Sequence, residues 1–157
     1  MISTEPRLDG VAIMLRRGVM RWLVDLGYQP LAEFTLRTGR RIDVFGLDER
    51  GDTVAIEIKS SLADFRTDMK WRDYLGFCDR FYFAVGADFP VDRLPDDTGI
   101  LVADGFGADI YCESVRSVIA SARRRSLILR FACASASRLY RTEAQPPELR
   151  ADRLLFG

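Results

Sequence analysis

Apolar positions along this chain switch between a helical and a strand spacing, which is typical of an α/β domain. Residues 11–26 repeat apolar side chains at near-helical intervals, and Gly27 follows as a stop signal. Several later segments are short and suited to strands. We predict helices over 11–26, 61–77 and 120–141, strands over 31–36, 41–47, 52–59, 81–85, 99–103 and 108–112, and a loosely held tail from residue 142.

The strand predicted over 52–59 has two chemically different faces. Because strand side chains repeat every second residue, valine and isoleucine side chains occupy one face, and Glu57 and Lys59 share the other. The polar, glycine-containing segment 48–52 has the length of a hairpin connection to the preceding strand. Asp43 on that preceding strand is therefore predicted to lie beside Glu57.

Two carboxylates and a lysine in this arrangement fit a hard divalent cation with an ammonium group close by. Only Lys59 and Lys70 are lysines among the 23 basic residues, and a lysine is a compact charge that an arginine does not replace. The chain has no histidine, which excludes Ser–His and Cys–His catalysis and every imidazole-ligated metal site. The pattern indicates phosphodiester hydrolysis.

The same residues carry a family resemblance. Asp43 followed by Glu57-Ile58-Lys59 resembles the D-x(n)-E-x-K signature of the PD-(D/E)xK, or restriction-endonuclease-like, nucleases, and the predicted order of helices and strands agrees with that core. Longer strings are similar to the bacterial MmcB family of DNA repair proteins: G-R-R-I-D-V, V-A-I-E-I-K-S-S-L-A-D-F-R-T-D-M-K-W-R-D-Y, F-C-D-R-F-Y-F-A-V and L-P-D-D-T-G-I-L-V-A-D.

The resemblance implies a restriction-endonuclease-like α/β fold, with a central mixed sheet flanked by helices, and a DNA repair endonuclease. Asp43, Glu57 and the carbonyl of Ile58 would then hold Mg²⁺ or Mn²⁺, and Lys59 would orient the attacking water. Many relatives in the wider nuclease group carry a glutamate in the first helix, which this chain lacks, so the number of metal ions stays open. The alternative is a nuclease-fold DNA-binding or adaptor protein with weak or no turnover.

Three further residues are candidates for the site. Glu33, in the first predicted strand, is either another metal ligand or supporting acid, or a charge on an edge strand. Lys70 and Tyr74 stand four residues apart in the helix predicted over 61–77, so they share a face. From that face they would contact the scissile phosphate or the attacking water.

Basic residues concentrate near the C-terminal end of the chain. Between residues 114 and 142 there are seven arginines and no acidic residue, although the net charge of the chain is zero. This run is either a surface that neutralises DNA phosphates or an arginine-rich helix face in solvent. The candidate DNA contacts are Arg123, Arg124, Arg125 and Arg130, together with Arg41 and Tyr74.

Length and composition limit the remaining possibilities. The 157 residues fit one nuclease domain over 1–141 with a tail over 142–157. No apolar run is long enough to span a membrane, and residues 1–10 are too polar for a secretory signal, so we expect a cytoplasmic protein. The three cysteines are expected to be buried, reduced thiols. DNA is the expected partner, repair-machinery proteins are further candidate partners, and the oligomeric state stays open.

Overall fold

The structure is a computed structural model that describes residues 9–67 and 70–144. One six-stranded sheet lies between helices, and its strands follow each other in chain order. The helices are α1 (Gly10–Asp25), α2 (Leu62–Thr67) and α3 (Ser121–Ala144), with 3₁₀ segments at Trp71–Phe77 and Val91–Arg93. The strands are β1 (Gln29–Thr35), β2 (Arg41–Leu47), β3 (Thr53–Lys59), β4 (Arg80–Val85), β5 (Gly99–Ala103) and β6 (Ala108–Cys112).

The sheet is mixed. Strands β1, β2 and β3 pair antiparallel, β3, β4 and β5 pair parallel, and β6 returns antiparallel to β5. Every residue of β3 is buried, because β3 lies in the interior of the sheet with both faces covered. The predicted α/β architecture, with a mixed central sheet flanked by helices, is confirmed.

Helix α1 begins and ends where the local chemistry dictates. The carboxylate of Asp9 accepts a hydrogen bond of 2.7 Å from the backbone N–H of Ala12, which caps the first turn. At the other end Gly27 adopts φ +88°, the left-handed conformation that ends many helices and that glycine adopts without strain. The helix predicted over 11–26 is thus confirmed to within one residue at each end.

The two faces of the sheet bury separate hydrophobic clusters. Val54, Ile56 and Ile58 of β3 pack under α1, whose Leu15 is fully buried. Ala55 belongs to the cluster on the opposite face, which also contains core residues of the 3₁₀ helix and α3. Each fully buried aliphatic side chain contributes about 1.5–3 kcal/mol. Because Glu57 and Lys59 share the parity of Ala55, they lie on the face away from α1.

The prediction of one continuous α-helix over 61–77 is wrong. The segment predicted as a continuous helix over 61–77 is a short α2 ending at Thr67, followed by a separate 3₁₀ helix that begins at Trp71. In a 3₁₀ helix, residues three apart lie directly above each other, so Trp71 and Tyr74 both reach the core. Burial of these two aromatic side chains therefore outweighs the preference for α-helical spacing.

Other predicted boundaries differ less. Helix α3 continues to Ala144, three residues beyond the predicted end, and 145–157 of the expected tail lie outside the described residues. The three cysteines are free thiols, but only Cys78 is buried, which raises its pKa to about 12. Cys133 is exposed on α3, so the expectation of a buried thiol is wrong there. Within residues 9–67 and 70–144, no helix is long and apolar enough to cross a membrane.

A buried carboxylate joins α3 to the sheet. Asp79, 3% exposed, accepts hydrogen bonds from the backbone N–H and the hydroxyl of Thr53 and two bonds of 2.7 Å from the guanidinium of Arg124. Burial alone raises the pKa of Asp79, but these hydrogen bonds from Arg124 and Thr53 outweigh burial and hold the pKa below its usual value. Asp79 therefore connects the start of β3, the start of β4 and α3.

We expect Asp79→Asn to lower the free energy of unfolding by about 3 kcal/mol at neutral pH, because Arg124 loses its carboxylate. The folded-state pKa of Asp79 is depressed, so its contribution is complete above the unfolded pKa of about 3.9 and is lost as the pH falls through the folded value. Urea unfolding of wild type and variant between neutral and acidic pH measures this. The difference should shrink at acidic pH, and Arg125→Ala on the exposed side of α3 should change stability by less than about 0.5 kcal/mol.

Candidate active site

The candidate site lies where β2 and β3 stop pairing. Their backbone register runs from Leu47 opposite Thr53 to Val44 opposite Ile56 and ends there. Strand β3 nevertheless stays paired with β4 as far as Lys59. The parting of β2 from β3 opens the sheet at the level of Asp43.

We call the point where Asp43 of β2 parts from Glu57, Ile58 and Lys59 of β3 the fork. Two crossed hydrogen bonds join the two strands there. The Asp43 carboxylate accepts from the backbone N–H of Ile58 at 2.9 Å, and the Glu57 carboxylate accepts from the backbone N–H of Asp43 at 3.2 Å. The side chains thus replace the backbone partners that the strands would otherwise supply. The prediction that Asp43 lies beside Glu57 is confirmed.

The electrostatic surroundings of Asp43 favour a nearby positive charge. Glu57 and Lys59 are each only 4% exposed, and Asp43 is half-buried. Burial has the largest effect and raises the pKa of Asp43 above its usual value, and the charge of Asp64 also raises it. The hydrogen bond from the Ile58 N–H and the charges of Lys59 and Arg41 lower this pKa but do not cancel the effect of burial. A carboxylate held in this environment gains stability from any additional cation that approaches it.

The donor set fits a cation that keeps part of its hydration shell. Within residues 9–67 and 70–144, no group of three or more histidine, cysteine, aspartate or glutamate side chains is placed to hold a metal ion. The chain supplies two carboxylates, from Asp43 and Glu57. The backbone N–H and C=O of one strand residue point to the same side, so the Ile58 carbonyl faces the fork as its N–H does. Mg²⁺ is bound by few protein ligands, with waters and phosphate oxygens completing its shell.

A cleft of about 1060 Å³ opens beside Asp43. Its other sides come from the β1–β2 turn and the 3₁₀ helix, and three of the lining side chains are basic: Arg40, Arg41 and Lys70. Arg40 is held at 2.7 Å from Asp73 across the cleft. The structure therefore places Lys70 and Arg41 near Asp43, as the sequence predicted.

Tyr74 has a different position from the one expected. It lines the cleft but is 5% exposed, and its hydroxyl donates a hydrogen bond of 3.0 Å to the backbone carbonyl of Arg41. We therefore correct its assignment: Tyr74 supports the start of β2 from the core and is not an exposed DNA contact.

Glu33 lies on the edge strand β1. The register places it opposite Asp43, between the pairs Ala32 with Val44 and Phe34 with Ile42. Its carboxylate is 4.0 Å from the guanidinium of Arg16 and 3.9 Å from that of Arg41. These contacts support the alternative of an edge-strand charge for Glu33, and they leave Asp43 and Glu57 as the paired acids.

Glu33 also has unusual backbone geometry. Among the described residues, Glu33 is the non-glycine residue with a positive φ, which is +53°. This residue breaks the alternation of β1, so that Leu31 and Phe34, three apart, both enter the same hydrophobic cluster. Its carbonyl accepts a hydrogen bond of 2.9 Å from Arg138 of α3. The kink in β1 therefore lies directly beside the fork.

The three consecutive arginines at the start of α3 point in different directions, because successive helical residues are rotated by about 100°. Arg124 faces inward and binds Asp79, so we correct its assignment from DNA contact to structural ion pair. Arg123 lies 4.6 Å above the Phe77 ring, and Arg125 lines a groove beside β1 together with Arg130. Arg123, Arg125 and Arg130 are exposed.

Two residues of this surface, Arg37 and Phe77, were not predicted from the sequence. Both line a groove that adjoins the cleft. Arg37 belongs to the turn R-T-G-R-R, whose density of arginines was an available signal. Nothing local in the sequence marks Phe77, because its position depends on the 3₁₀ helix and on α3.

The family model for DNA repair proteins of the MmcB-like type matches residues 2–146. The chain belongs to the MmcB-like family of DNA repair proteins. The residues that carry the match include both strands of the fork, so the MmcB-like family assignment covers the whole candidate site.

Solved structures give further comparisons for this MmcB-like chain. The SPO1766 protein of unknown function from Silicibacter pomeroyi is 40% identical, with a TM-score of 0.82, over 89% of this chain and 99% of that one. A repair endonuclease from Pyrococcus abyssi is 23% identical, with a TM-score of 0.29, over 40% of this chain and 31% of that one. No curated protein matches the chain.

The positive φ of Glu33 yields a stability prediction for this MmcB-like protein. We expect Glu33→Gly to leave the free energy of unfolding within about 1 kcal/mol of wild type, because glycine adopts this φ without strain. Glu33→Val, which introduces a strong strand former, should be less stable than the glycine variant by about 1–3 kcal/mol. Urea unfolding curves measure both, and a valine variant as stable as the glycine variant would contradict the strained geometry.

Proposed function

We propose that this MmcB-like protein hydrolyses DNA phosphodiester bonds with the help of Mg²⁺ or Mn²⁺. The observation that carries the proposal is the fork itself: crossed hydrogen bonds hold Asp43 and Glu57 together, beside buried Lys59, next to a cleft with basic sides. On the same ground we assign the sheet to the restriction-endonuclease-like class. DNA is the proposed substrate because the family consists of DNA repair proteins.

Asp43, Glu57 and the Ile58 carbonyl would hold the cation. When bound, a divalent ion polarises the phosphate and lowers the pKa of a water molecule. The protein contributes the placement of the two carboxylates. Each is oriented by a backbone N–H of the neighbouring strand, which limits the reorganisation that cation binding would require.

Lys59 would act on the attacking water and on the charge that develops at the phosphate. It follows Glu57 by two residues on the same face of β3, and its charge acts on Asp43. A compact ammonium with three donors can orient a water while sharing a small buried space with a carboxylate. Because the chain has no histidine, we assign proton transfer to this lysine and the carboxylates.

Charges are distributed so that DNA meets one end of the molecule. Residues 86–113 contain seven acidic residues and one arginine. Residues 114–142 contain seven arginines and no acid, and of these Arg124 and Arg116 are ion-paired with Asp79 and Asp52. The cleft lies on the side of α3 and the arginine-rich β1–β2 turn. A polyanion is therefore attracted to the cleft and repelled from the β5–β6 end, even though the net charge is zero.

We expect Asp43→Asn and Glu57→Gln each to lower the rate of DNA cleavage by at least about 10²-fold, because each removes a charged ligand and keeps the shape and the hydrogen-bond acceptor. Single-turnover cleavage of single-stranded, duplex and branched DNA with Mg²⁺ and Mn²⁺ measures this. Glu33→Gln is the matched control, since it neutralises the third acid of the fork region, and it should cleave within about threefold of wild type.

A wild-type rate in either the Asp43 or the Glu57 variant would contradict the assignment. Metal titration separates the nuclease from an adaptor that retains the fold. Saturable divalent binding that depends on Glu57, with no cleavage of any DNA form, would favour the adaptor.

We expect Lys59→Arg to fail nearly as badly as Lys59→Ala, with losses on the order of 10²–10³ in rate. A planar guanidinium cannot fit the space of an ammonium that is 4% exposed. Lys70→Arg is the comparison, because Lys70 is exposed at the cleft and either cation attracts phosphate. Single-turnover rates at saturating metal, with circular dichroism melts of each variant, make the test. If the Lys59→Arg variant cleaved DNA at the wild-type rate, Lys59 would contribute only a positive charge and its specific role would be contradicted.

A further inference from the structure

The groove lined by Arg37 and Phe77 adjoins the cleft. It encloses about 500 Å³ between the β1–β2 turn, the end of the 3₁₀ helix and the first turns of α3. Phe77 and Thr38 line both the groove and the cleft that contains Asp43. A molecule that occupies the cleft therefore continues directly into the groove.

The groove combines an apolar floor with a cationic rim. Phe77, Leu127 and Ala122 provide apolar surface, and Arg37, Arg123 and Arg130 surround it. A site that binds only phosphate does not require an aromatic floor. A site that binds an apolar ligand does not require three guanidinium groups. A nucleotide has both requirements, since its base is flat and its phosphate is charged.

Arg123 is held in place within this groove. Its guanidinium carbon lies 4.6 Å above the centre of the Phe77 ring, and its Nη1 donates a hydrogen bond of 2.8 Å to the carbonyl of Gly76. The side chain is nevertheless exposed. A guanidinium fixed over an aromatic ring offers its outer plane to a nucleobase, because bases stack on arginine as well as on aromatic side chains.

The base that enters must be unpaired. In a duplex, both faces of each base are covered by its stacked neighbours, so a base reaches a side-chain platform only in a single strand or after it is turned out of the helix. The groove volume of about 500 Å³ lies in the range of sites that enclose small ligands. It accepts a base but not a double helix.

We propose that this groove binds an unpaired base of the DNA strand whose neighbouring phosphate lies at Asp43 and Glu57, so that the substrate is single-stranded DNA or a single-stranded segment of a larger structure. The inference rests on the proposed nuclease function for the position of the phosphate. Arg123 over Phe77 stacks on the base, and Arg37 and Arg130 neutralise the adjoining backbone.

Binding measurements test the groove without cleavage. The full chain carrying Glu57→Gln is titrated into a fluorescently labelled DNA single strand of about 12 nucleotides and into the same sequence as a duplex, and anisotropy reports affinity. We expect the single strand to bind at least about tenfold tighter than the duplex. Adding Arg123→Ala should weaken binding of the single strand about tenfold and change duplex binding little.

Two further variants separate stacking from charge. Arg123→Lys keeps the positive charge and loses the planar surface, so it should weaken single-strand binding nearly as much as Arg123→Ala. Arg72→Ala is the matched control, because Arg72 is also exposed and lies 4.4 Å above an aromatic ring, that of Trp71, but does not line the groove. We expect Arg72→Ala to bind both DNA forms like the Glu57→Gln parent.

Three results would overturn the inference: equal affinity for single strand and duplex, full retention of single-strand binding by Arg123→Lys, or an equal loss in Arg72→Ala and Arg123→Ala. The nuclease proposal fails separately. If the groove variants behave as expected but the wild-type protein cleaves no DNA with Mg²⁺ or Mn²⁺, the binding site stands and the catalytic assignment does not.

Discussion

The crossed hydrogen bonds between β2 and β3 are the interaction on which the rest of the site depends. When two strands part inside a protein, the backbone N–H groups that lose their partners must find others. Here the carboxylates of Asp43 and Glu57 supply those partners. The opening of the sheet and the pairing of the acids are therefore one structural feature, because the two carboxylates accept hydrogen bonds from N–H groups at the point where the strands part. An apolar residue at either position would leave a partly buried N–H without this acceptor.

The arginines show how one charged segment serves several purposes. Arg124 is used inside the fold, where its guanidinium neutralises buried Asp79. Arg138 satisfies carbonyl groups of the edge strand, including that of Glu33, while Arg123 remains exposed above Phe77. Helical rotation distributes neighbouring residues to different surroundings, so a run of like charges does not define a single binding surface. The face of α3 toward the groove carries the exposed Arg123 and Arg130.

Much of the site was predictable from local pattern. The alternation of apolar and polar residues in β3 placed Glu57 and Lys59 on one face, and the short connection to β2 placed Asp43 beside them. Tyr74 and Glu33 were less predictable. Tyr74 enters the core because its segment is a 3₁₀ helix, and Glu33 turns away because its φ is positive. Both outcomes depend on packing against elements that are distant in the sequence.

The sequence by itself determined the order of the strands, the end of α1 at Gly27, the pairing of Asp43 with Glu57 and the family, since all of these depend on periodicities and short spacings within continuous segments. Only the tertiary structure decided which arginines face inward, how the helix predicted over 61–77 divides, and that Phe77 and Arg37 form a groove beside the cleft. Contacts between α3, the 3₁₀ helix and the β1–β2 turn join segments far apart in the chain. Their geometry is set by the burial of side chains from all three elements at once, and no local pattern encodes it.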